Sequence, residues 1–432
     1  MPDKSLKPLT VAFVTAVFVL LAVGPARSQA QTTIRVWTPW PSYTDIFAKL
    51  TAAFHKLHPD ITAEVTSMPE SEYRAAVKSA LAANAGPDII TAVPGRTGMN
   101  FFADAGAIID LTPYYQQHHW ADNYPQWITQ NLTYTTKSGH KGMWVVPTHV
   151  ASTFLFYDPT LLESHHLDVP KTLDQFLSYC KAANAAGLIP LAFGDGGGGW
   201  MGVEYISYLL NQTAGDAGVT ALVNGKSSWT APEVVKSAEV FAQLRDAKCF
   251  QPGVVSTTAP TALALWIGGK AGMLYAGDWS FADVQRQNPA LYARMKLIIG
   301  QQINPDVPMK PASALGDSLA ITSFSKARDA AVAWLDFMTS EPGQLIWLND
   351  AKRIVARTAM NTEANGASAV QEEDVALMKA GTAVDLDYPL WPQTYSALEK
   401  ALQDVLNGSQ TPAAAMADVQ AVDKQMWQQA GQ

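Results

Sequence analysis

The chain has 432 residues, 48% of them hydrophobic and 16% charged, with a formal net charge of -8. At about 100–200 residues per domain the length implies several domains with sizeable cores, and the acidic balance argues against nucleic acid, whose phosphates demand a basic face. Thirteen Trp, fourteen Tyr and fifteen Phe supply many flat apolar faces, whereas two cysteines are too few for a disulfide scaffold or an all-cysteine zinc site.

The first thirty residues read as an address. Lys4 and Lys7 precede an uncharged stretch from Leu9 to Gly24, and Ser28-Gln29-Ala30 places small residues at the -3 and -1 positions of a cut. This is the three-part pattern of a secretory signal peptide. The stretch is shorter than the ~20 apolar residues of a spanning helix, so a permanent anchor is the weaker reading. Cleavage is expected after Ala30, with Ser28 as the alternative. No cysteine sits at the cut, so no lipid anchor is expected, and the mature chain would be free in a bacterial periplasm. Disulfides are permitted there and nucleotide cofactors are not expected. Cys180 and Cys249 have two open readings, a disulfide or two buried thiols, because sequence separation says nothing of Cα distance.

From Ile34 to Trp37 the chain reads as a strand. Tyr43 to Leu57 follows at helix spacing and Pro59 stops it; Ile61 to Val65 alternates like a strand; Tyr73 to Leu81 is an amphipathic helix; and Ile89 to Val93 is a buried-type strand. This β-α-β-α-β order predicts a parallel sheet with helices on both faces. Loops beyond the strands' carboxyl ends hold ligands in such sheets, and here they carry Trp40 and Arg96. Further on, strands are expected at Met143–Val146, Phe154–Tyr157, Leu188–Phe193, Ala271–Tyr275, Met295–Ile299 and Leu319–Thr322. Helices are expected at Leu173–Ala186, Val203–Leu210, Pro232–Lys248, Ala262–Gly268, Phe281–Gln287, Ala327–Met338 with Ser325 as its N-cap, Gln344–Asn349, Tyr395–Leu406 and Ala413–Trp427. No repeat and no low-complexity linker separates these segments, so two interwoven α/β lobes fit better than two tethered domains.

Several motifs fail on their chemistry. Gly194-Asp195-Gly196-Gly197-Gly198-Gly199 matches a dinucleotide fingerprint literally, but a run of glycines does so by default, and the run lacks the Lys-Ser/Thr of a P-loop. It reads instead as a flexible loop, with Trp200 at its end. Tyr114-Tyr115 and His118-His119 have no carboxylate at a metal spacing and read as a polar helix started by Pro113. No nucleophile elbow occurs. No cofactor is expected.

Gly86-Pro87-Asp88-Ile89-Ile90 begins a series of matches that run in order through the mature chain: Ala105-Gly106 to Leu111-Thr112-Pro113, Val146-Pro147 to Leu161-Leu162, Gly269 to Met273, Gly277-Asp278-Trp279, and Leu315 to Ile321 leading to Ser340-Glu341-Pro342-Gly343. In these segments the sequence resembles the extracellular solute-binding proteins, family 1, of ABC-type importers, a group that includes maltodextrin-binding proteins. The resemblance implies a periplasmic-binding-protein fold: two lobes, each a mainly parallel sheet flanked by helices, joined by hinge strands and closing on a sugar. It places lobe 1 at 31–147 and 316–360, and lobe 2 at 148–315 and 361–432. The implied partners are a carbohydrate and the membrane permease subunits of an importer; a monomer without catalysis is expected.

The resemblance also implies site residues. Trp279 matches the family's stacking aromatic, Arg96 falls where some members place a polar contact, Trp40 lies in a contact loop, and Trp391 and Tyr395 lie near a late aromatic contact. Trp144, Trp200 and Asp278 are further candidates, as are His149 and Asp317, near the crossings. Ala151 and Gly95 depart from the family by standing where acids often occur, which weakens a maltodextrin assignment. The physics fits: a pyranose has an apolar C–H face for a Trp ring and a rim of hydroxyls for Arg and carboxylates. Two rival readings remain, a periplasmic glycosidase, which needs only two carboxylates, and a binder of another solute such as a polyamine, which would need an acid-lined aromatic box.

Overall fold

A computed structural model describes residues 1, 31–96, 98–197, 199–316 and 318–431. The expected signal peptide and Asp317 lie outside these described residues.

The first sheet grows from the pattern seen in the sequence. Strand Thr32–Thr38 buries Ile34 and Val36 on one face, and helix Thr44–Leu57 buries Ile46, Phe47, Leu50 and Phe54 as a single stripe against it. Strands Ile61–Ser67 and Ile89–Thr91 pair with Thr32–Thr38 in parallel on either side. Ser318–Ile321 and then Val146–Pro147 extend the sheet in antiparallel sense. Helices Arg328–Thr339 and Glu341–Asn349 complete this lobe, with Trp334 and Trp347 meeting Phe54 and Phe47 edge to face. Ser325 does not cap that first helix: its hydroxyl donates to Asp88 Oδ1 at 2.7 Å, and Ala327 occupies the cap position. The pull of a buried carboxylate on a neighbouring strand overrides the local capping preference.

The second sheet is built around the long strand His149–Tyr157. Ala271–Gly277 pairs antiparallel on one side and carries Ile189–Ala192 beyond it; Ala312–Leu315 and then Ala383–Val384 lie on the other side. Lys296–Ile298 and Ile354–Val355 add to the same strand. Each sheet is therefore mixed, a shared mix of parallel and antiparallel pairs. The chain passes between the sheets at Thr148, around Gly316, and between Asn349 and Ile354. Ile354–Val355 already belong to the second sheet, ahead of the boundary expected at residue 360. Helices Pro392–Asn407 and Pro412–Gln429 pack on Trp200–Val223 and Pro232–Asp246 in the second lobe.

Two local outcomes bear on the reading of the sequence. Cys180, on helix Leu173–Ala185, and Cys249 form a disulfide with Cα atoms 5.0 Å apart. The start of the glycine run is packed rather than loose: a Cβ on Gly194 would come within 2.4 Å of Ala259 Cα, and one on Gly196 within 2.7 Å of the Ser256 backbone. Asp195 fixes it by accepting from Gly202 N at 2.8 Å, and the helix begins at Trp200.

Candidate ligand-binding site

The two lobes enclose a cavity of about 1210 Å³. The first lobe contributes Trp40, from the turn after the first strand, together with Tyr43, Arg74 and Lys78. The second contributes Trp200 and Glu204 from one helix, Trp279 from the turn after Ala271–Gly277, Asp387 and Tyr388 from an irregular segment, and Tyr395 and Glu399 from helix Pro392–Asn407. Tyr395 and Glu399 stand one helical turn apart on one face.

Five of the ten expected site residues meet at this cavity: Trp40, His149, Trp200, Trp279 and Tyr395. The four aromatic rings among them are half-buried, with one part open to the cavity. Trp200 and Trp279 lie 5.9 Å apart between ring centroids, tilted by 52°. Gly277 permits the Trp279 pose by close approach: a Cβ there would sit 2.1 Å from the indole Cζ3. His149 is buried where the chain enters the second sheet. Its Nδ1 lies 2.9 Å from Thr148 Oγ1, and burial, with Arg353 nearby, pushes its pKa well below the usual value, so the ring is neutral.

Four of the other expected residues, Trp144, Asp278, Arg96 and Trp391, stand elsewhere, and Asp317 lies outside the described residues. Trp144 is 6% exposed in the first lobe, with Nε1 donating to Tyr134 O at 3.1 Å, and does not reach the cavity. Asp278 is fully buried behind Trp279; its Oδ1 lies 3.2 Å from Arg353 Nη1 and accepts from Ser152 N at 3.3 Å. It holds the turn that carries Trp279. Burial raises its pKa and Arg353 opposes that rise. Arg96 and Trp391 are together, but outside the cavity. The Arg96 guanidinium lies against both the Trp391 and Trp427 rings, 4.3 and 4.7 Å from their centroids, while the two rings meet edge to face at 5.5 Å, and Nε donates to Pro389 O at 2.7 Å. Arg96 belongs to the first lobe and its partners to the second, so it is a clasp across the lobes rather than a contact inside the cavity.

The acids gathered at one end of the cavity were missed in the sequence. Glu204 is 8% exposed, and burial first, then Asp385 and Asp387, push its pKa well above the ordinary carboxylate value. Asp385 and Glu399 are each pushed up to about 7, in both cases first by burial and then by Asp387; Arg74 pulls Glu399 back. Asp195, behind the same wall, is likewise raised by burial to about 7. One signal was legible: Glu204 is the single charge in a largely apolar run from Trp200 to Leu210. Asp387 and Glu399 carried none, because only the fold brings them to Glu204. Among the described residues no group of three or more His, Cys, Asp or Glu forms a metal-holding cluster. His118 instead faces Asp336 and stacks on Trp120, and the Tyr115 hydroxyl donates to Val145 O.

Residues 40–345 match the family of bacterial extracellular solute-binding proteins. The chain belongs to this family. Solute-binding proteins of this kind serve ABC import and are binding receptors without catalysis. No curated protein matches the sequence. Among solved structures, a chitin oligosaccharide binding protein is 19% identical, with 91% of this chain and 98% of that one covered and a TM-score of 0.81. A maltose-bound protein of T. maritima is 17% identical, covering 91% and 100%, with a TM-score of 0.77. A binding protein in complex with raffinose is 18% identical, covering 91% and 99%, with a TM-score of 0.74. At these identities the likeness is one of fold. No helix among the described residues of this solute-binding protein is long and apolar enough to cross a membrane.

Proposed function

We propose that this solute-binding protein captures a carbohydrate between its lobes and delivers it to the permease subunits of an ABC importer. The observation that carries the reading is the set of four aromatic rings, Trp40, Trp200, Trp279 and Tyr395, brought from both lobes to one cavity that also presents carboxylates. Aromatic faces cover the apolar side of a pyranose, and carboxylates take its hydroxyls. The cavity of about 1210 Å³ exceeds the ~300–1,000 Å³ common for small-molecule sites, which favours more than one sugar ring. The solved structures described as binding chitin oligosaccharide, maltose and raffinose support a saccharide over other solutes.

In this reading residues 1–30 are the signal peptide. The mature chain starts at Gln31, carries no lipid anchor and acts as a periplasmic monomer, with no affinity for nucleic acid. The glycosidase alternative falls with membership of a binding family. A thermal-shift screen across mono- and oligosaccharides tests the reading. A ligand that binds only the folded form at a hundred times its Kd adds about 2.7 kcal/mol of stability, so a binder raises the melting temperature by several degrees. A flat response to every saccharide in the panel would count against the carbohydrate.

A further inference from the structure

We propose that Arg353 is a positioning residue for the solute: it ties the turn that carries Trp279 to the third passage between the lobes, so that lobe geometry sets the stacking ring. Trp279 is a platform in the carbohydrate reading above, and this role rests on that reading. Arg353 is the last residue of the passage between Asn349 and Ile354. Its backbone N donates to Trp347 O at 3.1 Å, on a helix of the first lobe. Its side chain goes the other way: Nη1 lies 3.2 Å from Asp278 Oδ1, and Nη2 donates to Val150 O at 3.3 Å, both in the second lobe. One residue, only 2% exposed, therefore holds both lobes. Lys352, just before it, has φ 56°, a left-handed conformation that persists in a non-glycine residue only where the surroundings hold it.

The Asp278 carboxylate is the other half of the joint. It is fully buried, and the backbone amides of Ser152, Ile354 and Trp279 stabilise its charge. Trp279 is the next residue, and its ring lies so close over Gly277 that a Cβ there would meet the indole. A ring seated this tightly follows its turn, so a displacement of Asp278 moves the indole with it. Asp374, fully buried and close enough to act on both charges, is pushed well above the ordinary carboxylate value by burial first and then by Asp278, so it adds no second negative charge. In the first lobe the Trp347 ring meets Tyr43, in the turn after Trp40, at 5.4 Å between centroids. The aromatic contributions of the two lobes are thus joined through Arg353. Buried ion pairs commonly add little net stability over apolar residues of like volume; what this one supplies is a fixed geometry.

Two measurements on the full mature chain test this. The first is the Trp279 indole N–H signal, read by NMR in tryptophan-labelled, unliganded protein and assigned by Trp279→Phe. It should shift in Arg353→Met and in Asp278→Asn. The second is calorimetric titration with maltotriose, raffinose and chitotriose. The tightest of these should bind Arg353→Met roughly tenfold more weakly, and Arg353→Met should add nothing further in the Trp279→Ala background, because the two residues act as one unit. Asp278→Asn/Arg353→Met removes the pair without stranding a buried charge. It should melt close to the unmutated protein yet keep the weakened affinity, which preserves a readout if either single variant misfolds. An unmoved indole signal, or losses in affinity that simply add, would overturn the positioning role while leaving the carbohydrate reading standing. A shifted signal with no saccharide bound by the unmutated protein would count against the carbohydrate and support the positioning of Trp279.

Discussion

Trp279 stands at the end of a fully buried strand, on a turn held by the Asp278 carboxylate, with its ring laid over Gly277. A ring so placed is backed by protein on one side and open on the other, the arrangement a stacking platform requires. Trp279→Ala should weaken the sugar found by the thermal screen by about 2–4 kcal/mol, or roughly 30- to 1000-fold in Kd, as for other aromatic anchors. Folding should lose less than the ~3–5 kcal/mol of a true core aromatic, because the ring is only half-buried. Titration and thermal melting on one variant separate the two roles: unchanged affinity with a collapsed melting temperature would mean core. Gly277→Ala should cost affinity with Trp279 still present, by pushing the indole off its seat. The acids nearby make a different prediction. Asp195, Asp385 and Glu399 have folded pKa values raised to about 7 by burial, with Asp387, Glu204, Tyr395 and Arg74 around them. Between the unfolded carboxylate range near 4 and about 7, the folded chain holds more protons than the unfolded one, so stability falls as pH rises through that window. The unliganded protein should therefore melt at a higher temperature at pH 5 than at pH 8, measured by scanning calorimetry at fixed ionic strength.

Elements repeat the contrast between local and distant causes. Helix Thr44–Leu57, helix Phe281–Gln287 and strand Ala271–Gly277 were legible because their apolar spacing is the record of which face they bury. The helix from Trp200 was expected only over 203–210 but runs to Val223, interrupted at Gly215 with φ 68°. It is buried nearly all round in its first half, so no polar face marks its period there. Sites were less legible than elements for a similar reason. Trp144 and Trp279 each sit beside a strand end, and only the Tyr134 carbonyl and the Gly277 gap tell them apart. Asp278 reads as a contact until Arg353, far along the chain, is placed against it. The disulfide was likewise undecided until helix Leu173–Ala185 lay beside Cys249. It closes a loop of 69 residues, a constraint of about 4 kcal/mol on the unfolded chain in the entropic account. Cys180→Ala/Cys249→Ala, or reduction, should lower the melting temperature on the order of 10 °C, with sugar affinity at the cavity largely kept. Loss of affinity at unchanged melting would place the bridge in the site's support instead.

At the scale of the whole molecule, residues beside the three passages near Thr148, Gly316 and 350–353 border the cavity, and Arg96 joins the lobes outside it. The clasp has a definite composition: Arg96 N donates to Tyr388 O at 2.9 Å, Nε to Pro389 O at 2.7 Å, and the guanidinium lies against the Trp391 and Trp427 rings. Every one of these partners is on the opposite lobe, so they are made only while the lobes are together. A hinge motion about the passages would break them at once while leaving each sheet intact. Ligand that touches both lobes and the clasp then favour the same closed state, and each adds to the other's apparent strength, since affinity scales with the closed fraction. In small-angle scattering the saturated protein should have a smaller radius of gyration than the unliganded one. Arg96→Ala should enlarge the unliganded radius further and weaken the sugar by about 1–2 kcal/mol, or roughly five- to thirtyfold in Kd, although Arg96 lies outside the cavity. Identical scattering and identical Kd for Arg96→Ala would reduce the clasp to a passive contact and leave the hinge passages alone to set the equilibrium between open and closed.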